Sequence, residues 1–168
     1  MSYASVFAGT PITWASSGGD KTFAPTSLAN GSGWQGDKSA TLVHATYGMP
    51  EYLDCRLESA VVSAVSDKAI ELWFGGSDDG TAGNANPGNL SGVSGSLANP
   101  DEMKVQCDRV GTLHFQNSRG TNMQMQRLVY VAKLPFLIPV WVNKSGVALS
   151  ATAAIHKLVV TPYYRKIV

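Results

Sequence analysis

Charge is scarce in this chain. Lysine and arginine number 13 and aspartate and glutamate 12 among 168 residues, so charged side chains are 15% of the total, against roughly 25% in an ordinary globular protein. The net charge of +1 excludes the basic face and high pI of a nucleic-acid binder, and equally a polybasic membrane anchor. So few charges imply a surface partly covered by something other than water. Cysteine is scarcer still: Cys55 and Cys107 stand alone, at no metal-ligand spacing, and are expected to be buried free thiols. Long hydrophobic runs are missing as well. No stretch approaches the ~18 apolar residues of a membrane-spanning helix. The start, Met1 to Ala8, has neither a charged n-region nor a continuous apolar h-region, so it reads as no signal peptide and the chain as one made in a cytoplasm. The length fits one domain, large enough to build a core without a disulfide or metal staple.

Helical periodicity is nearly absent, and what is present has the period of strands. From Glu51 to Val65, Leu53, Cys55, Leu57, Val61 and Val65 alternate with Asp54, Arg56 and Glu58, the pattern of a strand with one buried face. In Ala69–Phe74, Ile70, Leu72 and Phe74 face one way, and Glu71 and Trp73 the other. Further strands are expected over Phe23–Leu28, Ala40–Thr46, Val110–Gln116, Asn122–Lys133, Leu137–Val142 and Ala154–Tyr163. Pro135 and Pro139 place that part of the chain at an edge or a bend, because proline removes a ladder donor. One helix signal survives. Asn99-Pro100-Asp101-Glu102 offers an N-cap, a proline at N1 and two acids in the first turn, which predicts two turns running into Met103–Cys107. About eight strands with turn signals between them give an all-β fold, an antiparallel β-sandwich of jelly-roll type.

Two segments stand outside that pattern. Residues 1–20 form a weakly hydrophobic arm that carries Tyr3, Phe7 and Trp14, with Thr10–Ala15 able to pair as an edge strand; residues 21–168 form the sandwich domain. The second segment, Gly75–Pro100, is rich in glycine and asparagine. Ordering it costs on the order of 1–2 kcal/mol per residue in backbone entropy. Leu90, Val93 and Leu97 offset only ~1.5–3 kcal/mol each when fully buried. Both segments are therefore expected to be mobile in the free protein and to become fixed on a partner, with Trp34 as a further contact.

Sequence patterns that carry chemistry fail one by one. Gly31-Ser32-Gly33-Trp34-Gln35-Gly36-Asp37-Lys38 departs from a phosphate loop, because Asp37 intervenes before the lysine and no helix pattern follows. Gly75-Gly76-Ser77-Asp78-Asp79 misses the nucleophile elbow at its last position. His44, His114 and His156 fall on three separate expected strands with no acid or nucleophile at a telling spacing. Asp78-Asp79 and Asp101-Glu102 could serve as a glycosidase pair, but the first sits in the long loop and the second is explained by helix capping. Asp78, Asp79, Asn84 and Asn86 could ligate calcium through oxygen, at a spacing that misses the EF-hand pattern. The reading is no enzyme, no cofactor and no metal.

Several segments taken in order carry a resemblance. Ser27-Leu28-Ala29-Asn30-Gly31-Ser32-Gly33-Trp34-Gln35-Gly36 comes first. Glu71-Leu72-Trp73-Phe74 then leads into Thr81-Ala82-Gly83-Asn84-Ala85-Asn86-Pro87-Gly88 and Ser91-Gly92. Val140-Trp141-Val142-Asn143-Lys144-Ser145-Gly146 and Val159-Val160-Thr161-Pro162 follow. Over about positions 13–163 this resembles small structural proteins of tailed-bacteriophage virions, most closely the jelly-roll capsid decoration, or cement, proteins. The resemblance implies a non-enzymatic protein on the outer surface of the head. Its partners would be the major capsid protein and neighbouring copies of itself in a homo-oligomer, with no nucleic acid and no membrane. Tyr3, Phe7, Trp14, Trp34, Leu90, Val93 and Leu97 are the expected contacts. The competing class is a carbohydrate- or receptor-binding module of a phage tail, in which Trp34 or the 75–100 loop would meet sugar.

Overall fold

The structure, a computed structural model, describes residues 4–63, 65, 68–97 and 99–167. Among them are the strands β1 (Ala4–Ala8), β2 (Ile12–Ala15), β3 (Lys21–Thr22), β4 (Gly33–Gln35), β5 (Tyr52–Ser59) and β6 (Lys68–Ser77). After these come β7 (Gly95–Leu97), helix α1 (Pro100–Met103), β8 (Asp108–Phe115), β9 (Gln124–Tyr130), β10 (Phe136–Lys144) and β11 (Lys157–Ile167). The strands make two facing sheets, β3-β2-β11-β5-β9 with β1 also on β11, and β7-β4-β10-β6-β8. The expected antiparallel β-sandwich is what forms. The long pairs nest: β6 lies on β8, β5 on β9, β4 on β10 and β2 on β11.

Alternation places the core. On β5, Leu53, Cys55 and Leu57 point inward and are fully buried, while Asp54, Arg56 and Glu58 lie half-buried on the outer face. Ile70, Leu72 and Phe74 of β6 meet them from the opposite sheet, with Trp14, Phe23, Trp141, Leu158 and Val160 completing the centre. Both thiols are free and buried, as expected, and burial pushes each up to about 12.

The segments expected as strands over Phe23–Leu28 and Ala40–Thr46 are connections instead. Their donors go singly to other segments, Ser27 N to Ser150 O and Leu42 N to Pro135 O, so no ladder develops. Pro139 also departs from expectation, since it lies in the central strand β10 between β4 and β6. A residue in a strand turns its N and O to the same side. The carbonyl of Pro139 accepts from Gly36 N at 2.8 Å, so the missing donor falls on the β4 side, one residue beyond the last pair of that strand, Val140 with Gln35. Helix α1 has its Asn99 cap, with Oδ1 accepting from Asp101 N at 3.2 Å, but it spans one turn rather than two.

β10 explains the long glycine-rich segment. Its residues are buried on both faces from Leu137 to Asn143, the signature of a strand covered on two sides. Leu137 and Trp141 face the main core. Ile138, Val140 and Val142 face outward into a second core made with Leu90, Leu97, Met103 and Cys107. The 78–107 segment therefore folds back over the outer face of its own sheet.

Candidate binding surfaces

The residues with chemical potential are engaged in structure. His156 is fully buried. Its Nε2 lies 2.8 Å from Ser150 O, a carbonyl that can only accept, so Nε2 carries the proton and Nδ1 accepts from the Ser59 hydroxyl at 2.9 Å. This has the donor order of a serine–histidine dyad. Both residues have zero exposure, however, and no substrate can reach them. Burial holds the His156 pKa below the ordinary value. His44 accepts from Thr46 N at 3.1 Å, and His114 meets the Thr112 hydroxyl at 2.8 Å. Among the described residues no group of three or more His, Cys, Asp or Glu could hold a metal ion.

In the long loop, where the side chains of Asp78, Asp79, Asn84 and Asn86 were the calcium candidates, backbone carbonyls are turned onto an internal cation. Lys38 is 4% exposed. Its Nζ donates to Ser77 Oγ at 3.1 Å and lies 2.8, 2.7 and 2.8 Å from the carbonyls of Asp79, Thr81 and Asn84. Asp79 turns its carboxylate to Thr81 N and Asn84 Nδ2 instead, at 2.7 and 3.2 Å, and these bonds hold its pKa below the usual value. Gln35 pins Ser91 through both ends of its amide, at 2.9 Å each, and Asp37 takes Ser94 N at 2.7 Å. The expectation of a loop fixed only by a partner is thereby corrected, because the entropy of ordering is offset within the chain by Lys38 and the second core.

The expected contact residues divide accordingly. Tyr3 lies outside the described residues. Trp14 is a core residue at zero exposure, donating from Nε1 to Asp37 O at 2.7 Å, and β2 is an internal strand between β3 and β11. The arm is thus part of the sheet. Its aromatics looked unburied because their neighbours, on β11 and the 23–37 segment, are distant in sequence. Trp34 is register partner of Trp141, packs half-buried against the main core and donates to Ser94 Oγ at 3.1 Å. Leu90 and Leu97 are buried in the second core. Trp14, Leu90 and Leu97 are therefore not free contacts, and among the described residues Val93, 54% exposed, and half-buried Phe7 and Trp34 keep some exposure.

Phe7 belongs to a surface the sequence did not outline. β1 pairs with the outer end of β11, Phe7 opposite Tyr164, forming a two-stranded ribbon beyond the end of β5. Phe7 meets Tyr47 edge-on at 4.8 Å between ring centroids, and His44 lies 4.6 Å from Tyr47. Tyr164 donates its hydroxyl to Leu42 O at 2.8 Å. These contacts fix the 40–47 segment across from the Gly9–Ile12 connection. Between the two runs lies an open groove of about 840 Å³, lined by Phe7, Ile12, Val43 and His44 and also by Asp20 and Lys21.

The second surface is the edge strand β9. Its inner face is locked. Leu128 sits so close over Gly111 that a Cβ there would come within 2.7 Å of it, and Tyr130 packs edge-on against Phe74 and donates to Asp108 at 2.8 Å. Its outer positions and flanks carry Met123, Met125, Val129 and Val131, all large hydrophobics left exposed, with Arg127 between them paired to Asp54. The Asn122–Lys133 alternation was legible in the sequence, but not which side of it would be left uncovered.

No protein-family model and no curated protein matches this chain.

Proposed function

We propose that the protein is a non-enzymatic structural component of a tailed-phage virion, a decoration protein that binds the outside of the capsid. The nested pairing of β2 with β11, β4 with β10, β5 with β9 and β6 with β8 is read here as a jelly roll, the fold the resemblance implies. The observation that carries the binding role is the groove beside the β1–β11 ribbon. It is open, mixes apolar with polar lining, and lies between two runs of chain whose positions are fixed by the Phe7–Tyr47–Tyr164 contacts. Such a slot suits a segment of neighbouring protein laid along it, with aromatic anchors for its side chains. The sugar-binding alternative finds less support. Trp14 and Trp141 are core, Trp34 faces inward, and Trp73 lies beneath Lys104, whose Nζ is 5.9 Å from the ring centroid.

The test is a single groove charge. Val43 is exposed on the groove wall, so Val43→Glu leaves the melting temperature unchanged and weakens binding to capsids at least tenfold. Equal binding by wild type and variant removes the groove from the account.

A further inference from the structure

We infer that β9 is a self-association edge, pairing antiparallel with β9 of a second copy about a two-fold axis at Leu128 and joining the β3-β2-β11-β5-β9 sheets of two molecules. This stands apart from the capsid reading, since it uses a different edge.

The strands paired on one side only are β1, β3 and β9 in one sheet and β7 and β8 in the other, and β1 runs only five residues. Natural sheets blunt their edges with short strands, bulges, prolines or charge. β3 is two residues long and β7 three, while the pairing of β8 is broken by a register shift at Leu72/Trp73 of β6. β9 runs seven residues in unbroken register with β5. It contains neither proline nor glycine, and its one charge, Arg127, is paired to Asp54. Its flanking backbone groups require an extended chain as partner, and its outward side chains require an apolar one.

The strand itself meets both needs. Antiparallel pairing centred on Leu128 sets Met125 opposite Val131 of the other copy and Arg127 opposite Val129, and the two-fold repeats both pairs, as an isologous contact requires. Centring on Arg127 instead would oppose two arginines, which is destabilising. Charge therefore excludes the Arg127 register, and centring on Val129 would set Met125 against Lys133. Because Leu128 and Tyr130 already lock β9 against the sandwich, little ordering entropy remains to be lost on association.

Sedimentation of the full chain over ~1–100 µM tests this. Expected is a monomer–dimer equilibrium whose dissociation constant rises at least tenfold in Val129→Lys and in Val131→Lys, and is unchanged in Val93→Lys, which alters an exposed valine elsewhere. Circular dichroism confirms that each variant is folded. Mild oxidation of Arg127→Cys mixed with Val129→Cys yields a mixed disulfide dimer, and neither variant alone does so; the native thiols are buried and do not interfere. A monomer throughout the range, an oligomer indifferent to both lysines, or cross-linking of Val129→Cys with itself overturns the proposal. A dimer that fails to bind capsids would count against the decoration role and not against this edge.

Discussion

Replacing Lys38 by methionine isolates what holds the long loop down. Methionine keeps most of the apolar stem and removes only the ammonium. Four oxygens then lose the ammonium, whose three N–H groups they share. Asp79 O keeps the Ser77 hydroxyl at 2.9 Å, Thr81 O keeps Asn84 N at 3.3 Å and Ser77 Oγ keeps Asp79 N at 3.3 Å, so the most complete loss falls on Asn84 O. Hydrogen bonds to a charged group contribute about 1.5–3 kcal/mol each, and a buried acceptor left bare costs about 1–3 kcal/mol. Thr81 and Asn84 sit on exposed residues, so opening the loop to water caps the total. The net loss expected is about 2–4 kcal/mol, concentrated in the 78–92 segment. Urea unfolding gives the total, and hydrogen exchange gives its location. The amide of Gly83, bonded to Ser91 O at 2.8 Å, should exchange more than tenfold faster, while β5 and β11 amides follow only the global change. A variant within about 0.5 kcal/mol of wild type, with Gly83 still protected, would refute the role given to Lys38 and leave the second core as the sole anchor.

Other outcomes follow from the same packing. Trp14→Ala should cost about 3–5 kcal/mol, the range for a buried large aromatic, and deleting residues 2–15 should abolish cooperative unfolding; an unchanged melt in either would return the first strands to a free arm. Gly75→Val drives a side chain into Leu90 and Pro87, where even a Cβ would lie within 2.6 and 2.8 Å. It should lift the loop and expose the second core, seen as dye binding at an almost unchanged main transition. His156 gives a pH signature: its folded pKa is lowered by burial, so the unfolded chain takes up the proton first. Stability is full above about pH 6.5 and falls by about 1.4 kcal/mol per unit as pH drops below it toward the folded value. Asp79 and Asp108, whose pKa values are also lowered, lose their contribution only below about pH 4. His156→Gln should therefore flatten the profile between pH 5 and 6.5, and an identical slope in both proteins would contradict the assignment.

How much of this was legible in the sequence depended on how local the cause was. The β5 alternation, the Asn99 cap and the two unpaired cysteines were readable, because neighbours along the chain decide them. The short strands β4 and β7 were not, since Gly33-Trp34-Gln35 and Gly95-Ser96-Leu97 have no periodicity and are held by β10 and by each other. One signal went unused. Ile138-Pro139-Val140-Trp141-Val142 is apolar at every position, which asks for cover on both faces, and only the glycine-rich segment was long enough to supply the second. Lys38 could not be identified by type, because a lysine that replaces a bound cation looks in sequence like any surface lysine.

The proposed decoration role is tested most directly by adding purified wild-type protein to phage capsids assembled without it, followed by sedimentation. The account predicts saturable binding, at a fixed number of copies per capsid, and a raised temperature of capsid disruption. Protein that stays in the supernatant at micromolar concentration, while folded, would contradict it.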